Sequence, residues 1–285
     1  MSATDHHTAP GAEEKDATTT SASINGGHPH HRFGDPHPNA NSNPHAVMAS
    51  FGGEFQPGLF KSVADRKIAN PAPLGLSAFA LTTFVLSCVN LSTRGVTSAS
   101  IAVPLAFGYG GLVQLCAGMW EMAIGNTFGA TALSSYGGFW IAWAFLEAPY
   151  FGEDGVGGDY ADGSSGSMDS AAGFFLMGWF IFTTILLLCT LRSTVMFFSL
   201  FFTLDLAFLF LACAHFANDN GSTDASAGLK KAGGVFGMLA AFLAWYNAFA
   251  GIVDSSNSFF LIPVFHFPWS EKGREARAAK AVTSV

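Results

Sequence analysis

Gln114 and Glu121 lie seven residues apart in an apolar stretch, so a helix there carries an amide and a carboxylate on one face, two turns apart. A carboxylate in such a place is either a proton-binding group or a structural partner for an inward-facing polar side chain. Asp205, near the middle of another apolar block, must likewise find a partner or water. Tyr136, Trp140, Trp143 and Glu147 share a third helical face; the last two fit an interfacial belt, whereas Tyr136 lies deeper. On a fourth, Phe79, Thr82, Thr83, Leu86 and Asn90 form a stripe of an aromatic followed by polar groups, although each Thr hydroxyl can instead bond back to its own helix. His215 and Asp254 fall near block ends and read as interfacial.

These side chains can donate hydrogen bonds, hold a proton or exclude by size, but they do not assemble into covalent chemistry. The sequence has no nucleophile elbow, Gly-rich phosphate loop or HExxH, and the expectation is a protein that is not an enzyme and needs no cofactor. Cys88, Cys116, Cys189 and Cys213 lack CxxC or Cys/His spacing and read as small hydrophobes. The scattered His of the first 45 residues read as composition, and no metal is expected.

The elements that must position these groups are membrane helices. Half of the 285 residues are hydrophobic and only 12% are charged, which excludes an ordinary soluble domain. Six apolar blocks, at 74–91, 101–124, 127–146, 172–191, 195–216 and 233–253, are each long enough to span. The first starts in NPAPLGLSAFALTT (70–83), where Asn70 can cap and Pro71 fits the first helical position. Gly111, Gly118 and Gly125 recur at seven-residue steps, and Gly237, Ala241, Ala244, Ala248 and Gly251 make a second small-residue seam; both favour close helix packing.

Residues 1–60 are polar and poor in large apolar side chains, and read as a disordered tail. Residues 50–70 mix aromatics with Lys61, Arg66 and Lys67 and suit a short interfacial piece. No apolar signal-peptide core is present in residues 1–30, so the first spanning helix is expected to direct insertion. A transport domain at 61–270 and a basic tail at 271–285 complete the division. With six spans, ten of the thirteen Lys and Arg fall on the side of the two ends, against Arg94, Lys230 and Lys231 opposite. The bias predicts both termini in the cytoplasm and the acidic loop holding Glu153, Asp154, Asp159, Asp162 and Asp169 outside. No basic patch suits nucleic acid.

NPAPLGL (70–76), the FALTTF that follows, GGLVQLCAGMWE (110–121) and GNTFGATALSSYGGFW (125–140) resemble the acetate uptake transporter family, which includes the bacterial succinate-acetate permeases. The long tail and the HFPW end resemble its fungal branch, and the likeness covers about residues 60–270. The resemblance implies an all-α polytopic protein of the plasma membrane, with six transmembrane helices, assembled as a hexamer with one pore per subunit. It implies proton-coupled uptake of acetate and other short monocarboxylates. Its narrow point is a Phe, a Tyr and a Leu, matched here by Phe79, Tyr136 and Leu204, the Leu that closes FFTL. Thr82 and Gln114 match its polar pore positions, and Glu121 the glutamate that ends its second-helix motif; Asp205 departs from its pattern. The Asn70 helix terminus adds partial positive charge for an arriving anion. Two other functions fit the sequence: export of ammonia or ammonium, and a membrane sensor or organiser working through its tail.

Overall fold

The computed structural model describes residues 69–148, 158–160, 165–254 and 257–283. The expected tail at 1–60, nearly all of the interfacial segment at 50–70, and the acidic-loop positions Glu153, Asp154 and Asp162 lie outside the described residues.

Helix α1 (Ala72–Asn90) starts one residue later than the proline pattern predicts. The Pro71 carbonyl is the first to accept, from the amides of Leu74 and Gly75, which makes Pro71 the cap residue. Asn70 still serves the start, because its Oδ1 accepts from the Ala72 amide at 3.1 Å. Pro73 falls in the first turn, where the missing amide proton has no helical acceptor to lose.

The second apolar block is not one regular helix. After a short turn at Ala99–Ile101 come α2 (Val103–Phe107), a π-helical turn at Gly108–Val113 and α3 (Gln114–Ala123). The wide turn brings the Ala106 carbonyl onto Gly111, where a Cβ would lie 2.2 Å from the oxygen, so only glycine fits. Beyond it, Gln114, Ala117, Gly118 and Glu121 form one buried face, as their spacing predicts.

Asn126 caps α4 (Thr127–Glu147) by accepting from the Gly129 amide at 3.0 Å. Ser167 caps α5 (Met168–Cys189), and Thr194 caps α6 (Val195–Asp219) by accepting from the Phe197 amide at 3.2 Å. Helix α7 spans Thr223–Ile252, and α8 Glu271–Thr283. No strand is formed among the described residues; a single antiparallel bridge joins Thr194 and His266. Around it the chain end straps the α5–α6 turn: the Val195 amide donates to the Phe265 carbonyl at 2.7 Å, and Trp269 Nε1 to the Leu191 carbonyl at 2.7 Å.

Among the described residues, five helical stretches are long and apolar enough to cross a membrane: Ala72–Asn90, Ala99–Ala123, Met168–Arg192, Val195–Asp219 and Thr223–Ile252. Helix α4 has comparable length, 21 residues, but is interrupted by Gly129, Thr131, Ser134, Ser135, Gly137 and Gly138. Much of it faces protein, with Tyr136, Phe139, Trp140 and Trp143 buried, so lipid-compatible side chains are not required on most of its surface.

Small residues set the helix spacing. In α7, Gly237 faces Ser87 of α1, while Ala241, Ala244 and Ala248 are buried, so the seam read from the sequence is in contact. Gly137 of α4 lies on the α3 backbone, where a Cβ would sit 2.7 Å from the Leu115 nitrogen and 2.8 Å from its Cα. Main chain cannot rotate aside, so Gly137→Ala must push α3 and α4 apart. The expected cost is about 1–3 kcal/mol, read as a lower thermal unfolding midpoint of the detergent-purified protein; an unchanged midpoint would show that the two helices separate freely.

Candidate functional site

Among the described residues, two cavities that share lining residues lie between the helices. The narrower, about 250 Å³, is bounded by Ala72 and Leu76 of α1, Gln114 of α3, Asn126, Phe128 and Tyr136 around α4, and Phe197, Leu200 and Phe201 of α6. The wider, about 410 Å³, lies toward the other end of the same helices, between Thr83, Leu86, Ser87 and Asn90, Phe139, Trp140, Trp143 and Glu147, and Ala207, Phe208 and Leu211. Gly233 and Gly237 of α7 close its side. Phe79 and Leu204 line both cavities and so form the wall between them.

Tyr136 belongs to that wall. Its ring lies 6.1 Å from the Phe79 ring and is stacked on Phe208 at 6.4 Å. Its hydroxyl lies 2.9 Å from Thr183 Oγ1, which fixes the ring orientation from α5. Phe79, Tyr136 and Leu204 are 4%, 3% and 6% exposed, so the wall is closed and largely apolar. The sequence-predicted trio therefore sits together, contributed by α1, α4 and α6. Thr183, 47 residues from Tyr136 in the chain, has no local signal that would have revealed it.

The polar groups divide sharply between used and unused. Gln114 lines the narrow cavity, is fully buried, and has no hydrogen-bond partner on either amide atom. A buried amide left unpaired costs stability, which marks it as a group kept for something that enters the cavity. Thr82, expected beside it, lines neither cavity. Its hydroxyl donates to the Ala78 carbonyl at 2.9 Å, and its side chain packs against Gly110. The neighbouring Thr83 lines the wide cavity instead, with its hydroxyl unpaired. Asn70 is exposed and lies outside both cavities, engaged with the Ala72 amide.

Of the two roles left open for Glu121, the geometry favours the structural one. Asn126 Nδ2 donates to Glu121 Oε2 at 2.6 Å, while Asn126 Oδ1 accepts from Gly129. One asparagine thus ties the end of α3 to the start of α4. Asp205 also has a partner: Thr184 Oγ1 lies 2.9 Å from its Oδ1, at the α5–α6 contact and away from both cavities.

The open end of the wide cavity carries charge of both signs, from Glu147, Asp169 and Lys230, with His215 beside them. Asp169 is held from two sides: His215 Nδ1 lies 2.9 Å from its Oδ1, and Asn218 Nδ2 donates to its Oδ2 at 2.6 Å. Ser170 Oγ donates to Asp219 at 2.6 Å, so α5 and α6 are joined by three polar contacts at this rim. Among the described residues, no group of three or more His, Cys, Asp or Glu could hold a metal ion.

A bundle of membrane-length helices that encloses two chambers separated by a thin aromatic and aliphatic wall is the architecture of a membrane transport protein. The chain belongs to the GPR1/FUN34/yaaH family, whose sequence profile matches residues 51–269. It is 63% identical over 232 residues to acetate permease A of Emericella nidulans, covering 81% of this chain and 78% of that protein. It is 48% identical over 226 residues to ammonia transport outward protein 2 of Saccharomyces cerevisiae, covering 79% and 76%. Its fold is similar to that of the bacterial acetate channel SatP, with a TM-score of 0.58 and 30% identity, covering 70% of this chain and 99% of that one.

Replacing Asn126 tests the α3–α4 tie. Asn126→Ala removes the donor to a buried carboxylate and the cap of α4 together, at a cost of about 3 kcal/mol. Chemical denaturation of the purified protein should show this loss, and Glu121→Gln, which keeps an oxygen facing Asn126, should lose less.

Proposed function

We propose that the protein carries acetate and other short monocarboxylates across the plasma membrane in a proton-coupled uptake, through a pathway formed by the two cavities. The observation that carries this reading is the wall they share: Phe79 and Leu204 face both sides, with Tyr136 packed on Phe79. The kinship with an acetate permease and an acetate channel supports the same solute.

The chemistry is consistent at each step. A carboxylate is ionised at neutral pH, and bringing it into hydrocarbon without partners is costly. Gln114 offers an unpaired amide N–H without a fixed positive charge, which permits weak binding and release. The Phe79, Tyr136 and Leu204 wall then acts as the constriction and rejects larger or more hydrated solutes. Because Thr82 spends its hydroxyl within α1, its contribution is to pack α1 against Gly110 behind the pathway.

Helix α4 serves as the sixth span, covered on much of its surface by its neighbours. Both termini face the cytoplasm, as the distribution of Lys and Arg favours. The narrow cavity then opens inward and the wide one outward, with residues 61–270 as the transport domain between two cytoplasmic tails. Each chain has its own pair of cavities, which suits a hexamer with one pore per subunit. Export of ammonium is the second reading, favoured by the kinship with an ammonia transport protein.

Labelled acetate uptake into proteoliposomes, with the outside acidic, tests the proposal; uptake equal to that of empty liposomes would overturn it. Labelled methylammonium in the same vesicles separates the second reading. Phe79→Ala should raise the flux of bulkier carboxylates relative to acetate by roughly tenfold, the scale of discrimination that one apolar pocket contact provides.

A further inference from the structure

Asp205 is the one carboxyl group between the ends of α6, and neither cavity uses it. It is 8% exposed, and its Oδ1 lies 2.9 Å from Thr184 Oγ1 of α5. The same Thr184 oxygen lies 3.0 Å from the Phe180 carbonyl, one turn back on its own helix. A threonine hydroxyl has one proton and two lone pairs, whereas a carbonyl oxygen only accepts. The Phe180 carbonyl therefore claims the Thr184 proton, as the Ala78 carbonyl claims that of Thr82 and the Ser199 carbonyl that of Thr203. The contact with Asp205 then needs a proton from the carboxyl group itself. A neutral carboxylic acid supplies it: its O–H donates to a Thr184 lone pair, and each of the two contacts has its own proton. A carboxylate would have to share the single Thr184 proton with Phe180.

The surroundings offer an ionised group no counter-charge. On the helices packed against α6, no Lys, Arg or His lies between Asp169 and Arg192 around α5, between Thr127 and Glu147 on α4, or between Lys231 and Asp254 around α7. The titratable side chains within those stretches are Tyr136, Cys189 and Tyr246, with Cys213 on α6 itself, and none of them can carry positive charge. Tyr136 is engaged with Thr183, and Tyr246 donates to the Pro263 carbonyl at 2.6 Å. His215, further along α6, is engaged with Asp169 at the rim. A charge in hydrocarbon without a partner of opposite sign is costly, and giving up the charge is the cheaper outcome.

The place of this contact ties it to the wall. Thr183 and Thr184 are neighbours on α5 and reach different helices, Thr183 to Tyr136 of α4 and Thr184 to Asp205 of α6. Asp205 follows Leu204 directly, so two of the three wall residues are fastened to α5 at one level. We infer that Asp205 stands in the membrane as a neutral carboxylic acid throughout the transport cycle. It is a positioning residue that holds Leu204 in the wall through Thr184, and the proton that accompanies the solute is not carried on it. The positioning role rests on the transport reading given above; the protonation state of Asp205 does not.

The test uses the full chain in lipid vesicles. Infrared difference spectra at neutral pH, wild type minus Asp205→Asn, should show a carboxylic-acid carbonyl band that moves on exchange into heavy water. Carboxylate bands in its place would overturn the inference without any flux measurement. Asparagine keeps a carbonyl and replaces the acid O–H by an N–H, so Asp205→Asn should match the wild type in labelled acetate uptake, in its pH profile and in accumulation under an inward proton gradient. Asp205→Leu leaves Thr184 facing an apolar side chain and should lower uptake about fivefold, the worth of one hydrogen bond. Lost accumulation or an altered pH profile in folded Asp205→Asn would overturn the inference, because Asp205 would then be gaining and losing the proton. Uptake by Asp205→Leu equal to that of the wild type would overturn the positioning role. Absence of acetate uptake by the wild type would overturn the transport reading itself, while the infrared result would still decide the state of Asp205.

Discussion

Everything in the bundle depends on how Tyr136 is held. Its hydroxyl is tethered to Thr183 of α5, and its ring is surrounded by Phe79 of α1, Trp179 and Phe182 of α5, and Phe201 and Phe208 of α6 at centroid distances of 5.9–6.4 Å. Aromatic pairs of this kind contribute about 0.5–1.5 kcal/mol each beyond their burial. One side chain of α4 thereby joins three other helices at a single level of the membrane. The same level is where the two cavities meet, so the wall that separates them is also the centre of the packing. A movable wall would have to break several ring contacts at once, which favours an opening by small side-chain adjustments over a swing of whole helices.

The hydrocarbon environment explains why polar groups fall into two sets. Most are spent locally: Thr82 on Ala78, Asp205 against Thr184, Glu121 on Asn126. A spent group satisfies the demand that buried polar atoms be paired inside the membrane. Of the side chains with no partner, Gln114, Thr83 and Trp140 each line a cavity, whereas Ser134 is enclosed where α4 meets Gly118 of α3. A polar group open to the pathway is therefore marked by a place on a cavity wall together with the lack of an internal partner, rather than by the residue type.

That distinction marks the limit of what the sequence reveals. Periodicity correctly aligns Phe79 with the polar stripe of α1 and Gln114 with Glu121, and motif likeness brings Phe79, Tyr136 and Leu204 together from three helices. Neither can separate Thr82 from Thr83, because adjacent residues differ by about 100° around the axis and either hydroxyl can bond to its own helix. The partner of Tyr136 is equally hidden, since nothing near position 136 points to position 183. The start of α1 is legible to within one residue, because prolines and an asparagine constrain it chemically. The break in the second apolar block is not, since a Gly-rich tract is compatible with α- or π-helical turns alike.

That π-helical turn at Gly108–Val113 adds a residue to a regular helix without interrupting it. In the language of sequence alignment it is a one-residue insertion whose effect is rotational. If the same residues wound as a regular α-helix throughout, α3 would be turned by about 100° relative to the segment before it. Gln114 would leave the narrow cavity, and the face that now packs on α4 would present the side chains of its neighbours. The register of this tract, and not the identity of its residues alone, aims the amide at the pathway.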